Sequence, residues 1–163
     1  METAGAVWKG NKRHNIRVLL VDSSFVMRFE MGSVLERNRF DVVGETSFSD
    51  DVVSMAADLE PDVIVMDAVS SAIEGFSTLR ALKRCLPERP VLLVGRWDDP
   101  EEGVAFLERA LPVGVNGYLP RESPEPLIVS AVLALSCGGF VLSKRVAVRG
   151  LMGRVSGKAL PSL

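Results

Sequence analysis

Two aspartates stand where short apolar runs end: Asp22 after Val18-Leu-Leu-Val21, and Asp67 after Val63-Ile-Val-Met66. A carboxylate in that position can cap the helix or turn that follows, or join a second acid around a divalent cation. It can also act as a nucleophile and accept a phosphoryl group. Two such acids ending two parallel strands would meet at one edge of a sheet, which favours the metal and phosphoryl chemistries over simple capping. Other chemistries find little support. One histidine, His14, and two cysteines, Cys85 and Cys137, with no CxxC, leave no zinc set, no Ser-His-Asp triad and no disulfide framework. A nucleotide- or flavin-binding enzyme is disfavoured too, because Asp22-Ser-Ser-Phe25 follows the first run where a glycine-rich loop would be needed.

The elements that must position these acids can be read from patterning. Val18–Val21, Val63–Met66, Val91–Val94 and a weaker run from Val115 to Leu119 are short, β-branched or leucine-rich, and lack polar alternation. Such runs suit parallel strands buried on both faces. Asp41-Val-Val-Gly44 is shorter and reads as an edge strand. Between them, Val52, Met55, Ala56 and Leu59 keep helical spacing, as do Ile128, Ala131, Val132 and Leu135. Phe76, Leu79 and Leu82 keep a similar face, and so do Val104, Leu107 and Leu111. Asp99 before Pro100 and Ser123 before Pro124 look like helix starts, while Gly114 helps to stop the fourth helix. Strands are therefore predicted near 16–21, 41–44, 63–67, 91–95 and 115–119, and helices near 24–37, 50–59, 76–85, 100–111 and 124–136. This alternation predicts a doubly wound α/β fold, a five-stranded parallel sheet with helices on both faces. In such sheets the functional crevice lies beyond the carboxyl ends of the strands.

Composition agrees with an ordinary globular domain: 163 residues, 47% hydrophobic and 25% charged. With 19 basic and 21 acidic residues the net charge is −2, too balanced for the body of the protein to hold nucleic acid by electrostatics alone. The uncharged stretch from Leu127 to Leu142 is too short for a membrane span and is broken by Gly138-Gly139, so a cytoplasmic protein is expected.

At this point the chain resembles the receiver domain of bacterial two-component response regulators, of the NarL/LuxR-type subgroup with its flavodoxin-like fold. The resemblance rests on Ile16-Arg-Val-Leu-Leu-Val-Asp22, Pro61-Asp-Val-Ile-Val-Met-Asp67 with Gly75 following, Val115-Asn-Gly-Tyr-Leu119 and Gly139-Phe-Val-Leu-Ser143. It implies that Asp67 matches an aspartate phosphorylated by a histidine kinase, and that Asp22 matches the first of two acids that hold Mg²⁺. The second acid is Ser23 here. The position of a Thr or Ser that contacts the phosphoryl oxygens is Gly95, and that of a Lys is Arg121. Ser70-Ser71 replaces a Met-Pro, and Tyr118 matches an aromatic whose hydroxyl partner is missing. Loss of a carboxylate weakens a Mg²⁺ site with few protein ligands, and arginine is not a point charge like lysine. The departures point to an atypical receiver that works without phosphorylation, with no cofactor and weak Mg²⁺ at Asp22 and Asp67 at most. The alternative is a conventional receiver phosphorylated on Asp67 in the presence of Mg²⁺. Arg96 or Arg121 could pair with Asp67 and Asp22 in place of the metal, or both could lie solvated on loops.

The resemblance divides the chain into a leader over 1–15, a receiver over 16–138 and a C-terminal segment over 139–163. That last segment would lead to a helix-turn-helix DNA-binding domain not present here. The implied function is non-enzymatic: a regulatory input to a transcription factor, controlled by dimerisation, a small-molecule ligand or a histidine kinase. The helix over 124–137 is apolar beyond one face, with Leu127, Val129 and Leu133 outside its main stripe. A second buried contact, most simply a homodimer, is expected there.

Overall fold

The computed structural model describes residues 15–48, 51–68, 73–96 and 100–144. Strands and helices alternate: β1 (Arg17–Val21), α1 (Phe25–Arg37), β2 (Asp41–Thr46), α2 (Val52–Leu59), β3 (Val63–Asp67) and α3 (Ile73–Cys85). Then follow β4 (Val91–Gly95), α4 (Pro100–Ala110), a 3₁₀ turn (Leu111–Val113), β5 (Gly117–Pro120), α5 (Glu125–Ser136) and β6 (Val141–Leu142). All neighbouring strands are parallel, in the order β2-β1-β3-β4-β5-β6.

The apolar runs are buried on both sides because their alternate side chains feed two cores. Leu19, Val21, Ile64, Met66 and Leu93 face α2, α3 and α4. Val18, Leu20, Val63, Val65, Leu92, Val94 and Leu119 face the opposite core, with Leu35 of α1 and the stripe Ile128, Ala131, Val132 and Leu135 of α5. Full burial on both faces is why these strands carry no polar alternation. β2 lies at the edge, as its polar ends suggested, but runs on to Thr46. Its register slips opposite Val18 and Leu19, so that Leu19 pairs with Gly44.

The sheet has six strands rather than five. Val141 N–H donates to the Asn116 carbonyl at 3.1 Å, and Ser143 N–H to that of Tyr118 at 3.2 Å, pinning β6 beside β5. Two residues are too few to show a period, so this strand is made by its neighbour and not by its own pattern. Glycine at 117 lets it close in: a Cβ there would stand 3.0 Å from Leu92 Cδ1 and 3.1 Å from the Val141 carbonyl oxygen. The sheet thus reaches past residue 138, where the sequence suggested the receiver would end.

Helix ends differ in detail. Ser24 caps α1 and Asp51 caps α2, each accepting from the N–H three residues on. Ser123 does not cap α5, because Pro124 takes the cap position in an extended conformation while Ser123 Oγ donates to the Pro120 carbonyl at 2.6 Å. Gly114, with φ of +104°, closes the 3₁₀ turn by donating to the Leu111 carbonyl. Asp99, expected to cap α4, lies outside the described residues, as do Trp97, Ser70 and Ser71 and most of the leader and the C-terminal segment. Among the described residues no helix is long and apolar enough to cross a membrane.

Candidate functional site

Strand order builds the site. β1 and β3 are neighbours with Val21 opposite Met66, so Asp22, one step on, comes to the same edge as Asp67. β4 lies next to β3 and β5 next to β4, with Gly95 opposite Pro120. Arg121 follows at once, and its backbone N–H donates to the Gly95 carbonyl at 2.9 Å. From there its side chain spans the end of β4. Its Nη2 donates to Asp22 Oδ2 at 3.1 Å and also to Asp67 Oδ1. One guanidinium nitrogen serves both carboxylates.

The three side chains are largely withdrawn from water, with exposures of 18% for Arg121, 16% for Asp22 and 11% for Asp67. Backbone contacts hold the pair in place. Ser24 N–H donates to Asp22 Oδ1 at 2.8 Å, and the Arg28 guanidinium donates to the Asp22 carbonyl. Two acids sharing one cation leave a local excess of negative charge, and the effect shows on Asp67. Its carboxyl is raised above the usual range, first by burial and then by the Asp22 charge, against the pull of Arg121.

The other sequence-predicted positions are distributed around this pair. Arg96 is not a partner of Asp67: its Nε lies 3.5 Å from Glu122 Oε1, on an exposed loop pair. A flexible, solvated side chain at the end of β4 finds the nearer acid. Ser23 is exposed, and Gly95 is buried with no side chain to offer. Tyr118 is buried, and its hydroxyl donates to the Gly95 backbone carbonyl at 3.3 Å, so the aromatic is coupled to residue 95 through the main chain. On α5, Leu127 and Leu133 are exposed while Val129 is half-buried against the core, which removes Val129 from the outward face.

Among the described residues no three His, Cys, Asp or Glu side chains converge, and the acid pair that could start such a site already holds a guanidinium between its oxygens. A cation needs several hard oxygen ligands, and here the second acid of the resemblance is an exposed serine.

Sequence reasoning missed a cleft between α1 and α5 that opens beside the pair. About 240 Å³ in volume, it has a floor of Leu20, Val65 and Val94 and walls of Met31, Val34 and Ile128. Asp22, Asp67 and Arg121 form one end. At the rim, Glu125 accepts from Arg37 through both carboxylate oxygens and from Asn38 Nδ2 at 2.7 Å. Contacts that close across 88 positions of chain carry no local signal.

The two titrations act on stability with opposite signs. Asp67 keeps its proton to a higher pH in the folded chain than in the unfolded one, so over that interval folding binds a proton and stability falls as pH rises. Glu125 is drawn down to about 2 by Arg37 and Asn38, so its small, solvent-screened contribution is present above its ordinary value of 4.5 and lost as pH falls. Urea midpoints taken stepwise from about pH 4 to 7 should decline as Asp67 gives up its proton in the folded chain. In Asp67→Asn the overall level shifts but the decline disappears. An unchanged slope in that variant would assign the titration to another group.

Residues 18–133 match the response regulator receiver domain. The chain belongs to that family. The receiver is 30% identical over 135 residues to the response regulator protein VraR of Staphylococcus aureus, covering 82% of this chain and 63% of that protein. It is 28% identical over 128 residues to the transcriptional regulatory protein LnrK of Bacillus subtilis, covering 78% and 56%. It therefore spans about three-fifths of the length of these relatives. In fold it matches a LuxR-family two-component response regulator from Aurantimonas sp. SI85-9A1, with a TM-score of 0.77 and 23% identity over 87% of this chain and 99% of that one.

Proposed function

We propose that this receiver is the regulatory domain of a transcription factor and that it switches without phosphoryl transfer to Asp67. The observation that carries the reading is the single Arg121 nitrogen between Asp22 and Asp67. Phosphoryl transfer to a carboxylate builds negative charge that a divalent cation offsets while its coordination orients the donor. Here a tethered guanidinium takes the cation's place and binds the nucleophile. Gly95 supplies no hydroxyl to sense a phosphoryl group and no side chain to compete with the arginine. In this reading Asp22, Asp67 and Arg121 form a permanent lock, Ser23 and Gly95 are its accommodating positions, and no Mg²⁺ is required.

The test is intact mass after incubation with acetyl phosphate and Mg²⁺. No added phosphoryl group is expected. Stoichiometric addition, abolished in Asp67→Asn, would establish the conventional reading, in which a histidine kinase phosphorylates Asp67 with Mg²⁺. That reading draws its support from the presence of Asp67 itself at the carboxyl edge of the sheet.

Output in this proposal passes through assembly to a DNA-binding segment outside the receiver, as the similarity to the transcriptional regulatory protein LnrK suggests. Leu127 and Leu133 leave 41% and 46% of their surfaces exposed on α5, and in this reading they anchor a contact with a second copy about a two-fold axis. Light scattering at tens of micromolar should give a dimer for the wild type and a monomer for Leu133→Glu. A monomeric wild type, or a variant that still dimerises, would place the contact elsewhere.

A further inference from the structure

We propose that the cleft between α1 and α5 binds a small organic amine, an apolar and preferably aromatic body carrying one ammonium group that docks on the Asp22–Asp67 pair. This deepens the reading above, since it rests on Arg121 and not a metal occupying that pair.

Shape and charge both support it. Ligand sites are concave and mostly apolar, with a few polar groups at one place to fix orientation. The cleft has that layout: aliphatic and thioether side chains along the floor and walls, with the Asp22–Asp67–Arg121 cluster at one end and the Arg37–Glu125 pair at the rim. Its volume suits one ring with a short chain. The charge at the inner end is unbalanced, because Asp22 and Asp67 carry two negative charges against the one positive charge of Arg121. At the outer end Arg37 and Glu125 cancel each other. Arg28 lies at the inner end too, where its guanidinium donates to the Asp22 carbonyl, but its charge is met by Glu45, with Nε 3.8 Å from Glu45 Oε2. Counting Glu30 as well, the lining has four acids and three arginines. An anionic ligand would meet the carboxylates directly. A cationic one supplies the missing counter-charge in a site where water, and so screening, is reduced. It also bridges α1 and α5, so binding would bias the face that carries Leu127 and Leu133.

Calorimetric titration of the purified chain with 2-phenylethylamine tests the proposal, with 3-phenylpropanoate and methylammonium as comparisons. Single-site, saturable binding of the amine is expected, at least about tenfold tighter than either comparison. Val34→Phe, which fills the cleft, should abolish binding while leaving the thermal transition in place, and Met31→Phe serves if that variant does not fold. No saturable binding of the amine overturns the proposal. So does equal binding of the carboxylate, or binding that survives cleft filling. Methylammonium matching the aryl amine reduces the site to a bare cation site and overturns it too. The acetyl phosphate experiment reads Asp67 alone, so failure of the ligand proposal leaves its outcome untouched, and the reverse also holds.

Discussion

Replacing Arg121 with alanine is expected to lower the stability of the receiver by about 3–5 kcal/mol at neutral pH, the range for removing one partner of a largely buried ion pair. The loss comes from what remains. Asp22 and Asp67 would face each other without a counter-charge, in a position with little access to water. Because Asp67 already holds its proton above the ordinary carboxyl range, the variant should relieve part of the repulsion by protonation. The gap between variant and wild type should therefore narrow as pH falls. Mg²⁺ provides the sharper contrast. In Arg121→Ala the acid pair is free to take a cation, so Mg²⁺ should raise the urea midpoint by mass action, whereas the wild type should be indifferent. Arg121→Lys should fall between the two, because an ammonium keeps the charge but offers no planar fork to span two carboxylates. Urea denaturation with and without Mg²⁺ measures all three chains. A variant within about 0.5 kcal/mol of the wild type would show that the contact contributes little, as surface pairs do. Equal stabilisation of both chains by Mg²⁺ would show that the arginine does not exclude the metal.

The second large effect is a gain. The triple variant Ser23→Asp, Gly95→Thr and Arg121→Lys is expected to take up about one phosphoryl group per chain from acetyl phosphate and Mg²⁺, where the wild type takes up none. Each change restores a separate physical requirement. Aspartate at 23 adds a second hard ligand beside Asp22, threonine at 95 adds a hydroxyl at the end of β4, and lysine at 121 withdraws the fork from between the acids. Ser23→Asp alone should not suffice, because Arg121 still bonds both carboxylates in that variant. Mass spectrometry of the three chains, with Asp67→Asn added to the triple variant as a control, decides the matter. Uptake by the wild type, or by Ser23→Asp alone, would mean that the guanidinium is no barrier. Absence of uptake in a well-folded triple variant would place the block elsewhere in the site.

Much of this architecture was legible in the linear chain because the signals are local. A short, β-branched apolar run without alternation suits a strand covered on both faces, and Asp22 and Asp67 are conspicuous because each ends such a run. The stripe Ile128, Ala131, Val132 and Leu135 named the buried face of α5 for the same reason, and all four are buried. What the chain left open depended on which strands are neighbours. Arg96 and Arg121 both follow strands and both carry a guanidinium, so type and spacing could not choose between them. The order β1-β3-β4-β5 together with the backbone bond from Arg121 to Gly95 sends one to the acids, while Glu122 takes the other. β6 escaped notice because two residues have no period, and Val129 looked outward because a helix pattern cannot say how wide the covered face will be. The cleft and its Arg37–Glu125 rim were wholly silent in sequence. They exist only where α1 and α5 lie apart over a shared sheet, and a gap between packed elements is a property of their arrangement in space, with no residue of its own to announce it.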